Sequence, residues 1–254
     1  MNVPVAQRLG RSLVVLALFV ALVAVQADTN RPMVAPIDEA AQEAALITVR
    51  TNLLSALRSE DTDRVMTFIA EDVQFQALPN QTKSQIRRGL LSRFGDRSLA
   101  QHVIRALTLG GTFTTTRGSR WGAREFCAPY VYSAFPAEYD HVIANDDFPW
   151  VVIGKHVPLR STPDPDAPPR RYLSYDIVYV TPVGENAARN RRGQLWPYRV
   201  IEEPRALAGF VPADSVRNPQ DFHVCFGMRS GQWKVTEIAD DVFPSLRDQR
   251  TSLK

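Results

Sequence analysis

The sequence predicts an α+β protein: a helical α/β body completed by a C-terminal β-hairpin, with a small β-barrel inserted. Three observations carry this expectation. In the N-terminal half, apolar residues recur at spacings of three and four, the period of a helix with one buried face. From about Phe148 to Arg217 no helical period appears. Short β-rich runs there ("WVVIG", "VPLR", "YLSYDIVYV", "YRVIE", "AGFVPADSV") alternate with loops bearing proline or glycine, a spacing that suits a small barrel. Finally, "DFHVCFGMRSGQWKVTEIA" returns to long alternation and reads as a hairpin turning near Ser230–Gly231.

The first segment reads as an export signal. Arg8 and Arg11 precede the run "SLVVLALFVALVAV" with no acid between them, and "VQA" places small residues ahead of Asp28. An uncleaved anchor is the alternative, but about 14 apolar residues are short of the roughly 20 that a span needs. Residues 1–27 are therefore expected to be a signal peptide, with a periplasmic or secreted mature chain and no stable membrane span after cleavage. No cysteine follows the apolar run, which argues against a lipid-modified N-terminus. Loss of the two arginines lowers the formal charge from +3 to +1, so the basic balance says little about nucleic acid. The cluster Arg189, Arg191 and Arg192 lacks the interleaved aromatics on which single strands stack. It reads as a solvated loop, and no nucleic-acid partner is expected.

Residues 28–145 are expected to form the α/β body. After the leader "DTNRPMVAPI", Asp38 is a good N-cap, and Leu46, Val49, Leu53 and Leu57 fall on one helical face. Asp61 or Thr62 can cap a second, shorter helix that turns Val65, Phe68 and Ile69 inward. "VQFQA" alternates as a strand. "KSQIRRGLLSRF" and "SLAQHVIRAL" give two more amphipathic helices, broken at Gly95–Asp96, and "GGTFTTT" and "EFCAPYVYSAF" read as strands. Residues 146–217 are expected to be the barrel, and residues 218–254 a hairpin and tail packing back on the body. In that hairpin Phe222, Val224, Phe226 and Met228 share one face, opposite Trp233 and Val235, while Cys225 points to the other face.

The residues give little support to catalysis. His102, His141, His156 and His223 show no metal-ligand spacing, and neither cysteine has a second ligand at a zinc-like interval. His223 and Cys225 share a strand face, so a Cys–His pair is geometrically possible, but no oxyanion hole or orienting acid is announced locally. The pairs Glu71–Asp72, Asp146–Asp147 and Asp240–Asp241 could ligate a metal or act as acid and base; capping or solvated turns explain them as well. G-x-S-x-G motifs and glycine-rich phosphate loops are absent. No catalytic residue, metal or cofactor is expected. Cys127 and Cys225 are an even pair in an oxidising compartment, which favours a disulfide over two buried thiols.

Four short motifs in order, "VPLRSTP", "LSYDIVYV", "LWPYRV" and "GFVPADSV", resemble the SH3-like (SH3b) domain of exported bacterial envelope proteins. The match covers residues 148–217. "SYD" stands where that family has a Lys-Gly turn, and residues 184–195 lengthen an internal loop. In this resemblance the proline-rich stretch after Arg160 is the long first loop of the barrel. "CAPYVYSAFP", "VRNPQDFHV" and "GQWKVTEIADD" are similar to flanking elements of a larger exported group that carries such a barrel. The resemblance implies a compartment and a module and implies no reaction.

On this basis the chain is expected to be a non-catalytic envelope protein that binds peptide or cell-wall (peptidoglycan) ligands. Its partner would be a cell-wall peptide or an envelope protein. SH3-type barrels carry aromatic peptide grooves, and Arg160, Tyr172, Trp196, Tyr198 and Phe210 are the candidates here. Arg160 would stand at the rim and pair with a carboxylate, or else satisfy carbonyls of its own loop. Tyr175 and Tyr179, sharing a face with Leu173 and Ile177, are expected in the barrel core. A second reading comes from the "EDVQF" start and "GQWKVTEI" end of the body, which are similar to a nuclear-transport-factor-2-like α+β cone that binds or transforms a small molecule. A cavity in the body would favour that second reading. An open aromatic groove on the barrel, over a solid body, would favour the first.

Overall fold

Three of the helical segments begin where short polar side chains satisfy the first free N–H groups. Asp38 accepts from the Ala40 N–H at 3.3 Å and caps a 3₁₀ turn, Glu39–Gln42. Arg50 grips the same carboxylate with two nitrogens, at 2.6 and 2.8 Å. Helix α1 (Ala44–Arg58) follows and buries Leu46, Leu53 and Leu57 as its periodicity requires, with Val49 partly buried beside them. Asp61 caps α2 (Thr62–Phe68) through the Arg64 N–H at 3.0 Å. This computed structural model describes residues 31–75, 83–90, 93–94, 97–114, 124–139, 148–182, 198–201 and 209–239. Met33–Lys254 forms one compact unit; of the separate unit Met1–Pro32 only Arg31 and Pro32 are described, so the expected signal peptide lies outside the described residues. No helix among the described residues is long and apolar enough to cross a membrane.

The chain continues through β1 (Ile69–Phe75), α3 (Lys83–Gly89), the small pair β2 (Arg93–Phe94) and β3 (Arg97–Ser98), and α4 (Leu99–Thr108). Ser98 and Gln101 form a reciprocal capping box on α4, with bonds of 3.2 and 2.8 Å. Strands β4 (Thr112–Thr114) and β5 (Glu125–Ala128) come next, then a single helical turn, α5 (Tyr130–Ser133). The expected strand "EFCAPYVYSAF" thus stops at Pro129, which has no N–H to continue a ladder. Strands β6 (Phe148–Val152), β7 (Val157–Arg160), β8 (Pro169–Leu173), β9 (Ile177–Pro182), β10 (Tyr198–Ile201), β11 (Gly209–Val211) and β12 (Val216–Arg217) occupy the region read as β-rich. The hairpin β13 (His223–Arg229) and β14 (Gln232–Ala239) closes the order. Its turn is formed by Ser230 and Gly231, both at positive φ (50° and 76°), the hand that matches strand twist in a two-residue connection.

Two sheets result. The body sheet runs β1-β14-β13-β5-β4, with β1 parallel to β14 and the remaining pairs antiparallel. The C-terminal hairpin therefore occupies the middle of a sheet begun more than a hundred residues earlier. One face of that sheet carries Phe126, Val224, Phe226, Trp233, Val235 and Ile238 into the core beneath α1 to α4. Gly111 lets β4 approach β5, since a Cβ there would collide with the Cys127 carbonyl.

Residues 148–217 supply every strand of the second sheet, ordered β12-β6-β9-β10-β11-β7-β8. Val152, Val157, Leu159, Leu173, Val178, Val211 and Val216 form its own core. Among the described residues this ladder is open, with β8 and β12 as edges, so the described pairings do not include the closure a barrel requires. "YLSYDIVYV" divides into β8 and β9 at a turn. Tyr175 takes φ +62°, and the buried Asp176 accepts the Ser174 N–H at 2.5 Å. The turn divides the face that Tyr175 was expected to share with Leu173 and Ile177: Leu173 enters the sheet's own core, while Ile177 packs in a separate cluster with Tyr130. A third apolar cluster, Val34, Tyr130, Val131, Val151 and Ile177, joins α5 to the second sheet.

Candidate functional site

The body holds a pocket at the turn end of the hairpin. An open cleft of about 720 Å³ lies between α1, the end of α2 and residues 228–234. Val49, Phe68, Met228 and Trp233 give it an apolar lining, and Arg124 and Lys234 stand in its wall. The Arg124 guanidinium lies 3.6 Å over the Phe113 ring and donates to Gln42 Oε1 at 3.1 Å. Lys234 Nζ donates to the Thr67 carbonyl at 2.6 Å. Among the described residues neither cation is paired with a carboxylate, and Glu43 is the one acid in the lining. The cleft is an open groove: of its lining residues Trp233 is buried, whereas Met228 is 42 % exposed.

The opposite face of the body sheet is polar. Cys225 pairs with Cys127 on one side and with Glu237 on the other, and His223 lies two residues before Cys225. The four side chains therefore share one face. Cys127 and Cys225 form a disulfide, with Cα atoms 4.1 Å apart. His223 is 2 % exposed and stacks flat on Tyr132, ring centroids 3.7 Å apart and planes at 7°. Among the described residues neither of its ring nitrogens makes a hydrogen bond of full geometry, although the Asp221 backbone lies close enough to act on the ring; Glu237 Oε1 is 3.9 Å from Nε2. Arg217, fully buried beside it, donates to the Phe222 carbonyl and lies 3.8 Å from Asp221. Glu125 is buried on the same face, and desolvation raises its pKa against the opposing charge of Arg229.

Burial pushes the His223 imidazole down to about 4. The Asp221 backbone and carboxylate oppose this shift, and the Arg217 charge adds to it. Tyr132 and Glu237 are the other titratable groups facing the ring. The folded protein therefore holds a neutral imidazole, while the unfolded chain protonates near 6.5. Between those values the unfolded state binds more protons, so this contribution is complete above about pH 6.5 and declines as pH falls towards 4. The expected loss is on the order of 3 kcal/mol, read from denaturant midpoints across that range. His223→Gln should flatten the slope, and an unchanged slope in the variant would refute the assignment.

The residues expected to bind a ligand are only partly brought together. Arg160 donates through Nη1 to the Ala167 carbonyl, so it ties down the loop it begins. Tyr172 lies on the edge strand β8, 54 % exposed, with His156 edge-on at 6.3 Å. Phe210 is half-buried on β11, directly opposite Arg160. Tyr198 is placed on β10 by its backbone alone, and Trp196 lies outside the described residues, as do Arg189, Arg191 and Arg192. Glu71 and Asp72, read as a cap or turn, sit within β1 and pair with Lys83 at 2.5 Å and Arg229 at 3.0 Å. Asp146–Asp147 and Asp240–Asp241 lie outside the described residues. The wall residues Arg124 and Lys234 give no signal in the sequence, because each is an isolated cation whose neighbours come from distant segments. Comparison with family models, with curated proteins and with solved structures returns no match.

Proposed function

We propose that this chain is an exported, non-catalytic binding protein of the cell envelope, and that its body pocket holds a small molecule with an apolar part and an anionic end. The carrying observation is the cleft between α1, α2 and the hairpin turn. Its apolar lining is bordered by Arg124 and Lys234, whose contacts among the described residues are a ring face, an amide oxygen and a carbonyl. An anion there gains charge-assisted bonds without displacing a carboxylate. Of the two readings the sequence offers, a groove on the body supports the one in which the body binds a small molecule, here in an open cleft. A second reading, an SH3-like module over residues 148–217 that takes cell-wall peptides, is favoured by Tyr172, an exposed aromatic on an edge strand.

A fluorescent aromatic sulfonate is the probe for the pocket. Val49→Trp, which fills the cleft, should weaken its binding at least about tenfold, and so should the pair Arg124→Ala with Lys234→Ala, which removes one or two charge-assisted contacts. Wild-type affinity in both would refute the pocket. Solubilised cell-wall fragments titrated into the same variants and into Tyr172→Ala separate the readings: loss confined to Tyr172→Ala supports the SH3-like module.

A further inference from the structure

We propose that reduction of the Cys127–Cys225 disulfide opens a closed, four-coordinate site for a zinc-class divalent cation, built from both thiolates, His223 and Glu237. The body sheet assembles the donors. Cys127, Cys225 and Glu237 are adjacent across three strands, and His223 is the next side chain on that face of β13. One donor atom each from His223, Cys225 and Glu237 lies within 4.8 Å of the others, and Cys127 Sγ is bonded to Cys225 Sγ. Tetrahedral zinc with bonds of about 2.0–2.3 Å sets neighbouring donors roughly 3.3–3.8 Å apart. Closure therefore asks for side-chain shifts of about 1 Å.

The independent sign of a ligand site is the histidine. A 2 % exposed imidazole whose nitrogens make no full hydrogen bond, with the Asp221 backbone close enough to favour its charge, calls for an explanation, since buried polar atoms are nearly always satisfied. Tyr132 covers the face of the ring and fixes its plane, while the nitrogens lie in that plane, with Nε2 towards Glu237. The donor set also selects the metal: two thiolates and an imidazole suit zinc over magnesium or calcium. With the carboxylate, the loaded site carries one net negative charge, set near the buried Arg217. Burial of three of the four donors gives the closed character of structural zinc sites.

The chemistry balances with a dithiol reductant. Its thiolate attacks the Cys127–Cys225 bond, a mixed disulfide forms, and the reductant leaves as its own disulfide, giving two electrons and two protons to the pair. The cation then binds both sulfurs and releases the two thiol protons.

The test uses the full, untagged chain and Co²⁺, whose thiolate charge-transfer and d–d bands report four-coordinate sulfur ligation. Dithiol-reduced protein should bind one equivalent with those bands, and Zn²⁺ should displace it; oxidised protein should show neither. His223→Ala should weaken binding of the reduced form at least about tenfold, as disturbing a metal's support commonly does. Cys225→Ser should abolish the bands. If reduction alone melts the tertiary structure by near-ultraviolet circular dichroism, added Zn²⁺ should restore it. The proposal is overturned by equal binding in oxidised protein, by full affinity in His223→Ala, or by failure of Zn²⁺ to refold a reduced chain that has melted.

Discussion

Replacing both cysteines, Cys127→Ala with Cys225→Ala, is expected to lower the unfolding free energy by about 2–5 kcal/mol. The disulfide joins the central strand β13 to β5 across 98 residues of sequence. That loop contains every strand of the second sheet. An unfolded chain freed from so long a constraint gains entropy near the upper end of that range. The folded state loses little else, because the two positions stay paired through the β5–β13 ladder. Urea unfolding of the wild type and double variant checks this, and a difference below about 1 kcal/mol would show that the link contributes little to stability.

Phe226→Ala should cost about 3–5 kcal/mol, the range for removing a fully buried aromatic. Phe226 has no exposed surface and sits at the centre of the body sheet, opposite Phe126 and Val235. Its ring belongs to a row in which Phe113, Phe126 and Trp233 also meet, with centroids 5.5 to 6.4 Å apart. The surrounding side chains come from two layers held by separate backbone ladders, so they cannot collapse into the space left behind. Tyr172→Ala, on an exposed edge, is the control and should stay within about 0.5 kcal/mol of wild type. Equal effects at the two positions would contradict the placement of the core.

Glu125 shows how such placements escape a linear reading. In "EFCA" the carboxylate looks like the polar start of a strand, yet it is buried, paired opposite Thr114 of β4 and within reach of the Arg229 charge from the distant hairpin. The sulfur pair was legible, since two cysteines in apolar stretches behind an export-like leader have few other uses. That His223 shares the face of Cys225 also follows from a spacing of two. The stacking on Tyr132, the nitrogens without a full hydrogen bond and the approach of Glu237 were not legible, because they require β13, β14 and α5 to meet. The pocket was equally hidden: its lining comes from residues 43–49, 67–68, 124 and 228–234, and no window of the chain contains it.

The sequence by itself determined several starts and turns that are decided within a turn or two of backbone. Asp38, Asp61 and Ser98 start their helical segments by accepting the first N–H groups. Leu46, Leu53 and Leu57 set the buried face of α1, and Ser230–Gly231 turns the hairpin. These are choices of φ, ψ and exposure that neighbouring residues settle at low entropic cost. Only the tertiary structure decided partnership: β1 parallel to β14, β5 beside β13, and a turn at Tyr175 where alternation suggested one continuous strand. Strand pairing at long separation is chosen by which apolar faces bury together after the loop-closure entropy is met. That balance sums over the whole chain, so the residues of any one strand do not contain its answer.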